Sequence, residues 1–169
     1  MKRLFKVLLT GVIFLCSVTS MYSQTRDWYW RTVAENTNFN NIFNWTDSPT
    51  GEGGDYPLSP MTQLDNVYFN SESNIKNITV SGTTGANMAN LTVGAPGYSF
   101  DVATYNIAGS IDVHGTTTFG SSVRIQLINS DTNPCDATIN FGGSFGGDLT
   151  ITKPNQKVTL ESQIGRAHV

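Results

Sequence analysis

Residues 89–93 (ANLTV) and 109–113 (GSIDV) share one pattern, and residues 147–151 (GDLTI) repeat it a third time. In each stretch a small and a polar residue precede an apolar-polar-apolar alternation, which is typical of a strand with one buried face. The three starts lie 20 and then 38 residues apart, which is one step and then nearly two steps of about 19 to 20 residues. Because a fixed period of this kind is typical of stacked repeats, the pattern predicts a repetitive β-structure.

The same alternation continues through residues 75–163, where eight apolar pairs each enclose one polar residue. A second strand series begins at Phe100, Val123, Ile139 and Val158 and has nearly the same mean period. We therefore predict an all-β fold, a parallel β-helix or β-solenoid, with an antiparallel β-sandwich as the alternative. The eight enclosed residues are expected to point outward: Thr79, Thr92, Asp101, Asp112, Arg124, Asn140, Thr150 and Thr159.

Both ends of the chain are interpreted as lying outside the fold. Residues 1–23 combine basic Lys2, Arg3 and Lys6 with an apolar run too short to span a bilayer, which predicts a signal peptide. Residues 164–169 (IGRAHV) resemble a translated sequencing-library adapter. We interpret them as read-through at the end of an incomplete gene, so that the repeats of residues 75–163 would be truncated.

The composition between these ends restricts the function. Residues 24–163 hold 13 acidic and 6 basic residues, a formal charge of −7. Nucleic-acid binding is not expected, because neutralising phosphates needs clustered Lys and Arg. Cys135 is the only cysteine after residue 23. No disulfide can form within this segment, so we expect stacking of repeats to supply the stability.

Residues 24–74 are rich in aromatic residues and asparagine, and are interpreted as an N-terminal cap on the repeats. Trp28, Trp30 and Trp45 have two interpretations. They are candidate glycan contacts, since sugars stack on exposed indoles, or they form the buried core of the cap. We favour the buried core, because large aromatic side chains are more often structural.

No catalytic, cofactor-binding or metal site is predicted. His114 lacks an evident partner and is expected at the surface. Asp101 and Asp112 are expected on neighbouring strands, with Arg124 as the only nearby base, which is too few groups for a polysaccharide-cleaving site. The polar loop 131–136 lacks the turn glycine and the distal glutamate of a calcium-binding loop.

The order of motifs resembles the N-terminal region of large secreted proteins of Bacteroidetes. The resemblance rests on Asn44-Trp45, a Gly/Pro-rich loop ending at Pro57, the strand 65–69, and the Gly-x-Leu-Thr-Ile-like strands that follow. It implies a secreted or cell-surface β-helix protein, similar in style to adhesins and pectin-lyase-like folds, often exported by type IX secretion. It implies no catalytic residue at any position of this chain.

The sequence therefore predicts a non-enzymatic, extracellular or outer-surface β-solenoid, structural or adhesive, that needs no cofactor. Its expected partner is a glycan or a surface protein, not nucleic acid, and no transmembrane segment is expected after signal cleavage. The alternatives are the N-terminal part of a polysaccharide-degrading enzyme and a carbohydrate-binding module.

Overall fold

The computed structural model describes residues 25–80, 85–101, 103–113, 115–128 and 135–161. The predicted signal peptide 1–23 and the adapter-like tail 164–169 lie outside these residues. Within them the chain forms fifteen strands and one short 3₁₀ helix, Ile42–Asn44. No helix in the described part is long and apolar enough to cross a membrane.

The strands are short and are numbered in chain order. Their bounds are β1 Arg26–Trp30, β2 Trp45–Thr46, β3 Asp65–Tyr68, β4 Asn77–Ile78, β5 Ala86–Met88, β6 Asn90–Val93, β7 Ser99–Phe100, β8 Ala103–Ile107, β9 Ile111–Val113, β10 Thr118–Phe119, β11 Val123–Ile128, β12 Ala137–Phe141, β13 Ser144–Phe145, β14 Asp148–Thr152 and β15 Val158–Leu160.

These strands form three sheets that the chain visits in turn. The first sheet has the order β15-β12-β9-β6-β3-β1-β2, the second β13-β10-β7-β4, and the third β14-β11-β8-β5. Each strand from β3 to β12 pairs in parallel with the strand three places further along the chain. The chain is therefore a parallel β-solenoid of about four turns, as predicted, and the antiparallel sandwich is wrong.

Two of the three similar sequence stretches pair with each other in the structure, and the third lies in a different sheet. Leu91 pairs with Ile111, so ANLTV and GSIDV are successive turns of the first sheet. Ile111 then pairs with Ile139, whereas Leu149 pairs with Ile125 in the third sheet. The third stretch, GDLTI, is therefore on a different face of the coil, and assigning it to the same series was wrong.

The second predicted series is also divided among the sheets. Phe100 lies in the second sheet, Val123 in the third, and Ile139 and Val158 in the first. All three faces carry the same apolar-polar alternation, so spacing alone did not reveal which strands pair.

Side chains of one register position stack inside the coil. Val67, Leu91, Ile111 and Ile139 form one such column, and each is at most 1% exposed. None of the eight enclosed polar residues is buried, which confirms their outward orientation. The fold follows from this division, because each turn buries apolar side chains against the turns on either side.

Aromatic side chains fill the N-terminal end of the coil. The ring centroids of Trp45 lie 4.9 Å from Phe39, 5.1 Å from Trp30 and 5.3 Å from Phe69, and all four residues are fully buried. Strand β2 closes the edge of the first sheet by pairing antiparallel with β1. The predicted aromatic cap is therefore present.

The asparagines of the cap hold its loop together. The Asn44 side chain is fully buried, and its Oδ1 accepts from the backbone N–H of Glu35 at 2.8 Å. Its Nδ2 donates to the backbone oxygens of Asn36 at 2.9 Å and Asn38 at 2.8 Å. Burying the amide is tolerated because both ends are hydrogen-bonded.

The first sheet passes through the predicted boundary at residue 74. Strand β3 lies within residues 24–74, yet Val67 pairs in parallel with Leu91 of β6. The cap and the repeats therefore share one continuous sheet.

At the opposite end of the described coil, Ile151 and Leu160 are 48% and 57% exposed. The matching positions one turn earlier, Leu127 and Ile139, are fully buried because they have neighbours on both sides.

Tyr105 offers a test of the core. Its ring is buried, and its hydroxyl has no hydrogen-bond partner among the described residues. Burial, with a contribution from Asp101, raises the pKa of Tyr105, so the hydroxyl stays neutral. Because an unsatisfied buried hydroxyl is destabilising, Tyr105→Phe is expected to raise the free energy of unfolding in urea by about 1 kcal/mol.

Tyr98 provides the matched comparison for Tyr105. It is equally buried, but its hydroxyl donates to the Ser71 backbone oxygen at 2.9 Å. Tyr98→Phe is expected to lower stability by about 1 kcal/mol. A result in which both substitutions shift the urea midpoint in the same direction would contradict this account.

Candidate functional site

The three tryptophans proposed as glycan contacts lie in the core of the cap. Trp30 and Trp45 are fully buried and Trp28 is 8% exposed. The indole N–H of Trp30 donates to the Ile75 backbone oxygen at 3.0 Å, and that of Trp45 to Phe39 at 2.7 Å. Because a sugar needs an open ring face, this burial favours the buried-core interpretation of the three tryptophans over the glycan-contact one.

The other residues weighed for chemistry do not come together. Asp101 follows β7 of the second sheet, whereas Asp112 lies in β9 of the first, so the expectation of neighbouring strands is wrong. His114 and most of the 131–136 loop lie outside the described residues. No group of three or more His, Cys, Asp or Glu side chains placed to hold a metal ion is found in the part of the chain that is described.

The outer face of the first sheet carries a continuous line of hydrogen bonds. Asn66 Nδ2 donates to Asp27 Oδ1 at 2.8 Å, and Asn90 Nδ2 donates to Asn66 Oδ1 at 2.7 Å. Asn90 Oδ1 accepts from the Ser110 backbone N–H at 2.6 Å, and Ser110 Oγ accepts from that of Thr138 at 2.9 Å. We call this series, Asp27, Asn66, Asn90, Ser110 and Thr138, the amide ladder.

A second line of outward residues runs beside the amide ladder. Tyr29, Tyr68, Thr92, Asp112 and Asn140 occupy matching positions on five successive strands, and we call them the tyrosine column. The two tyrosine rings are stacked, with centroids 4.8 Å apart and planes at 17°. Further along, Asn140 Nδ2 donates to Asp112 Oδ1 at 2.9 Å.

The two lines are joined at the tyrosines. The Tyr68 hydroxyl donates to Asp27 Oδ1 at 3.4 Å, the oxygen that also accepts from Asn66. Burial, and then the Asp27 carboxylate, raises the pKa of both Tyr29 and Tyr68. Both phenols therefore stay neutral at physiological pH, and the face combines aromatic rings with neutral amides and hydroxyls.

The charged side chains of the amide ladder and the tyrosine column are all acidic. They are Asp27 and Asp112, and neither the amide ladder nor the tyrosine column contains Lys or Arg. A surface of this kind repels anions and offers no counter-charge for phosphate, sulfate or uronate groups.

Among the described residues, the outward side chains of the other two sheets are mostly polar and include no aromatic ring. On the second sheet the outward residues are small: Asn77, Ser99, Thr118 and Ser144. On the third sheet a row of three amides and one hydroxyl, Asn87, Asn106, Gln126 and Thr150, lies beside a long, exposed ion pair of Arg124 with Asp148. The first sheet is thus the face with the most distinctive chemistry.

The tyrosine column is not evident from the sequence, because its two tyrosines are far apart in the chain. Tyr29 lies between inward Trp28 and Trp30, and Tyr68 between inward Val67 and Phe69. Alternation alone places both tyrosines outside. Only the parallel register of β1 and β3 stacks one on the other.

Fold and surface together define a class of protein, a parallel β-solenoid with an aromatic cap and hydrogen-bonded polar rows on its outside. Comparisons with protein-family models, with curated proteins and with solved structures find no match to this chain.

Proposed function

We propose that the protein is a secreted or cell-surface, non-catalytic β-solenoid that acts as a rigid, adhesive scaffold. The observation that carries this proposal is the amide ladder, a row of fixed hydrogen-bonding groups crossing five strands of one sheet. Such a row presents donors and acceptors at the strand spacing of about 4.8 Å. A repetitive partner, a glycan chain or an extended protein segment, suits a repetitive surface.

Export is supported by the sequence of residues 1–23. The basic start, the short apolar run and the small residues after it have the features of a secretory signal. The resemblance to secreted Bacteroidetes proteins, many of which use type IX secretion, points to the same location.

A non-catalytic role is supported by the arrangement of the acids. Acid–base cleavage of a glycosidic bond needs two carboxyl groups facing one substrate. Of the pair weighed for this role, Asp101 follows a strand of the second sheet, whereas Asp112 lies in the first sheet. The scaffold is therefore preferred over the start of a polysaccharide-degrading enzyme.

Export and adhesion are tested separately. The full chain with a C-terminal epitope tag is expressed in a bacterium of the Bacteroidetes, and intact cells are treated with protease. The tag is expected in the medium or in protease-sensitive form at the surface, with residues 1–23 removed. A tag protected inside the cell, with residues 1–23 retained, would overturn the proposed location.

Adhesion is measured with beads that carry the secreted protein on wells coated with desialylated mucin, which offers both neutral glycan and polypeptide. Beads carrying the native protein are expected to be retained, and beads carrying the urea-denatured protein are the control. Release of reducing ends from a polysaccharide panel is followed with the same preparation. Equal retention of the two kinds of bead, or sugar release that Asp112→Asn abolishes, would contradict a non-catalytic adhesive scaffold.

A further inference from the structure

One side of the Tyr68 ring is stacked against another aromatic ring. Tyr29 stacks on one face, at a centroid distance of 4.8 Å. On the opposite side the next residue in the tyrosine column is Thr92, whose side chain is far shorter than a ring. Within the described residues Tyr29 is the only aromatic ring in contact with Tyr68. The stack therefore ends in an aromatic face above a step in the surface.

Hydrogen-bonding groups line that step. Thr92 forms its floor, and Asp112, held by the Asn140 amide at 2.9 Å, lies one strand further on. Asn90 of the amide ladder is beside Thr92 on strand β6.

The charge of the face selects among glycans. The tyrosine column and the amide ladder have two carboxylates and no cation. The two carboxylates would repel uronate, sulfate or phosphate groups. Neutral sugars are not repelled by these carboxylates. Their hydroxyl groups can hydrogen-bond to the amides and carboxylates, and their C–H groups can pack on the ring.

We infer that the Tyr68 face above Thr92 is a stacking subsite for one pyranose unit of a neutral polysaccharide. This inference rests on the proposed adhesive function and names the partner of the same face. The fixed positions of the ring and the amides favour binding, because little side-chain freedom is lost when the glycan docks.

A second exposed aromatic pair supplies the matched control. Phe43 and Tyr56 are 46% and 41% exposed and pack edge to face, with centroids 5.3 Å apart. The Arg31 guanidinium lies 5.0 Å from the centroid of the Tyr56 ring and donates to its hydroxyl at 3.0 Å. This pair is outside the tyrosine column and has a cation over one ring, so it lacks the features that define the subsite.

The experiment is affinity electrophoresis of the full chain through gels containing cellulose derivatives, xylan, mannan or starch, with alginate and polygalacturonate as anionic comparisons. At least one neutral polysaccharide is expected to retard the protein, and the anionic ones are not. Tyr68→Thr replaces the ring with the residue type found at the neighbouring position, Thr92. Because the stacking face is lost, binding is expected to weaken about 10-fold. Tyr68→Phe keeps the ring and is expected to retain most of the binding.

Tyr56→Thr is the control and is expected to leave binding to the neutral polysaccharide unchanged. Far-UV circular dichroism and the urea midpoint show that each variant is folded. The inference is overturned if no neutral polysaccharide retards the protein, if anionic polysaccharides bind better, or if Tyr68→Thr and Tyr56→Thr have equal effects.

Failure of the inference and failure of the proposed function are distinguishable. Retention on mucin that Tyr68→Thr leaves unchanged would overturn the stacking subsite and preserve the adhesive scaffold. Loss of both mucin retention and polysaccharide binding in the native protein would overturn both.

Discussion

Trp45→Ala is expected to lower the free energy of unfolding by about 3–5 kcal/mol. Trp45 is fully buried, and its ring contacts Phe39, Trp30 and Phe69 at centroid distances of 4.9 to 5.3 Å. Truncation opens a cavity in the cap and also removes the indole N–H that donates to the Phe39 backbone oxygen at 2.7 Å. Urea unfolding followed by far-UV circular dichroism measures the loss.

Phe43→Ala is the control for Trp45→Ala. Phe43 lies two residues earlier in the chain but is 46% exposed, so its removal leaves no enclosed cavity. A loss of about 0.5 kcal/mol is expected there. Equal losses for the two variants would mean that the aromatic cluster does not close the end of the solenoid.

Asp65→Ala is expected to lower the free energy of unfolding by about 3 kcal/mol, the lower end of the range for breaking a buried pair, because Arg26 is partly exposed. The fully buried Asp65 carboxylate accepts from Arg26 Nε at 2.7 Å and Nη2 at 3.1 Å, and from the Trp28 indole at 3.2 Å. It also accepts from the backbone N–H and hydroxyl of Thr62, at 2.7 and 2.8 Å. Removing it leaves these donors without their acceptor.

The comparison for Asp65 is Asp148→Ala. Asp148 is also paired with an arginine, Arg124, but the atoms are 3.8 Å apart and both side chains are more than half exposed. Surface pairs of this kind contribute about 0–1 kcal/mol. A urea midpoint that falls as far for Asp148→Ala as for Asp65→Ala would show that burial and multiple hydrogen bonds are not what makes Asp65 important.

These two predictions concern the end of the coil that supports the tyrosine column. Trp28 and Trp30 point inward from β1, while Tyr29 points outward from the same strand. Asp65 anchors β1 to the start of β3, the strand that carries Tyr68. A loosened cap would therefore disturb the register that stacks the two tyrosines, so Asp65→Ala is expected to weaken polysaccharide binding as well as stability.

Local sequence accounted for much of the architecture. Alternation placed Leu91, Val93, Ile111 and Val113 inside and Thr92 outside, because successive side chains of a strand point to opposite faces. The step of 20 residues between Leu91 and Ile111 is one turn of the coil. These features depend only on neighbours in the chain and on a period.

The candidate site was less accessible to sequence reasoning. The sequence does not distinguish an exposed tryptophan from a buried one, so Trp28, Trp30 and Trp45 were compatible with both a sugar platform and a cap core; their burial favours the core. The residues that do form an aromatic stack on the surface, Tyr29 and Tyr68, are in separate segments with no shared motif.

The sequence by itself determined the strand character, the inward and outward faces and the aromatic cap, because these follow from local alternation and from the need to bury apolar area. The tertiary structure alone decided which strand pairs with which. The three strands of each turn carry the same apolar-polar pattern, so the pattern does not show whether Ile139 or Leu149 pairs with Ile111. Packing between successive turns, which differ in length, selects Ile139. The amide ladder and the tyrosine column form only when the strands of the first sheet pair in this register.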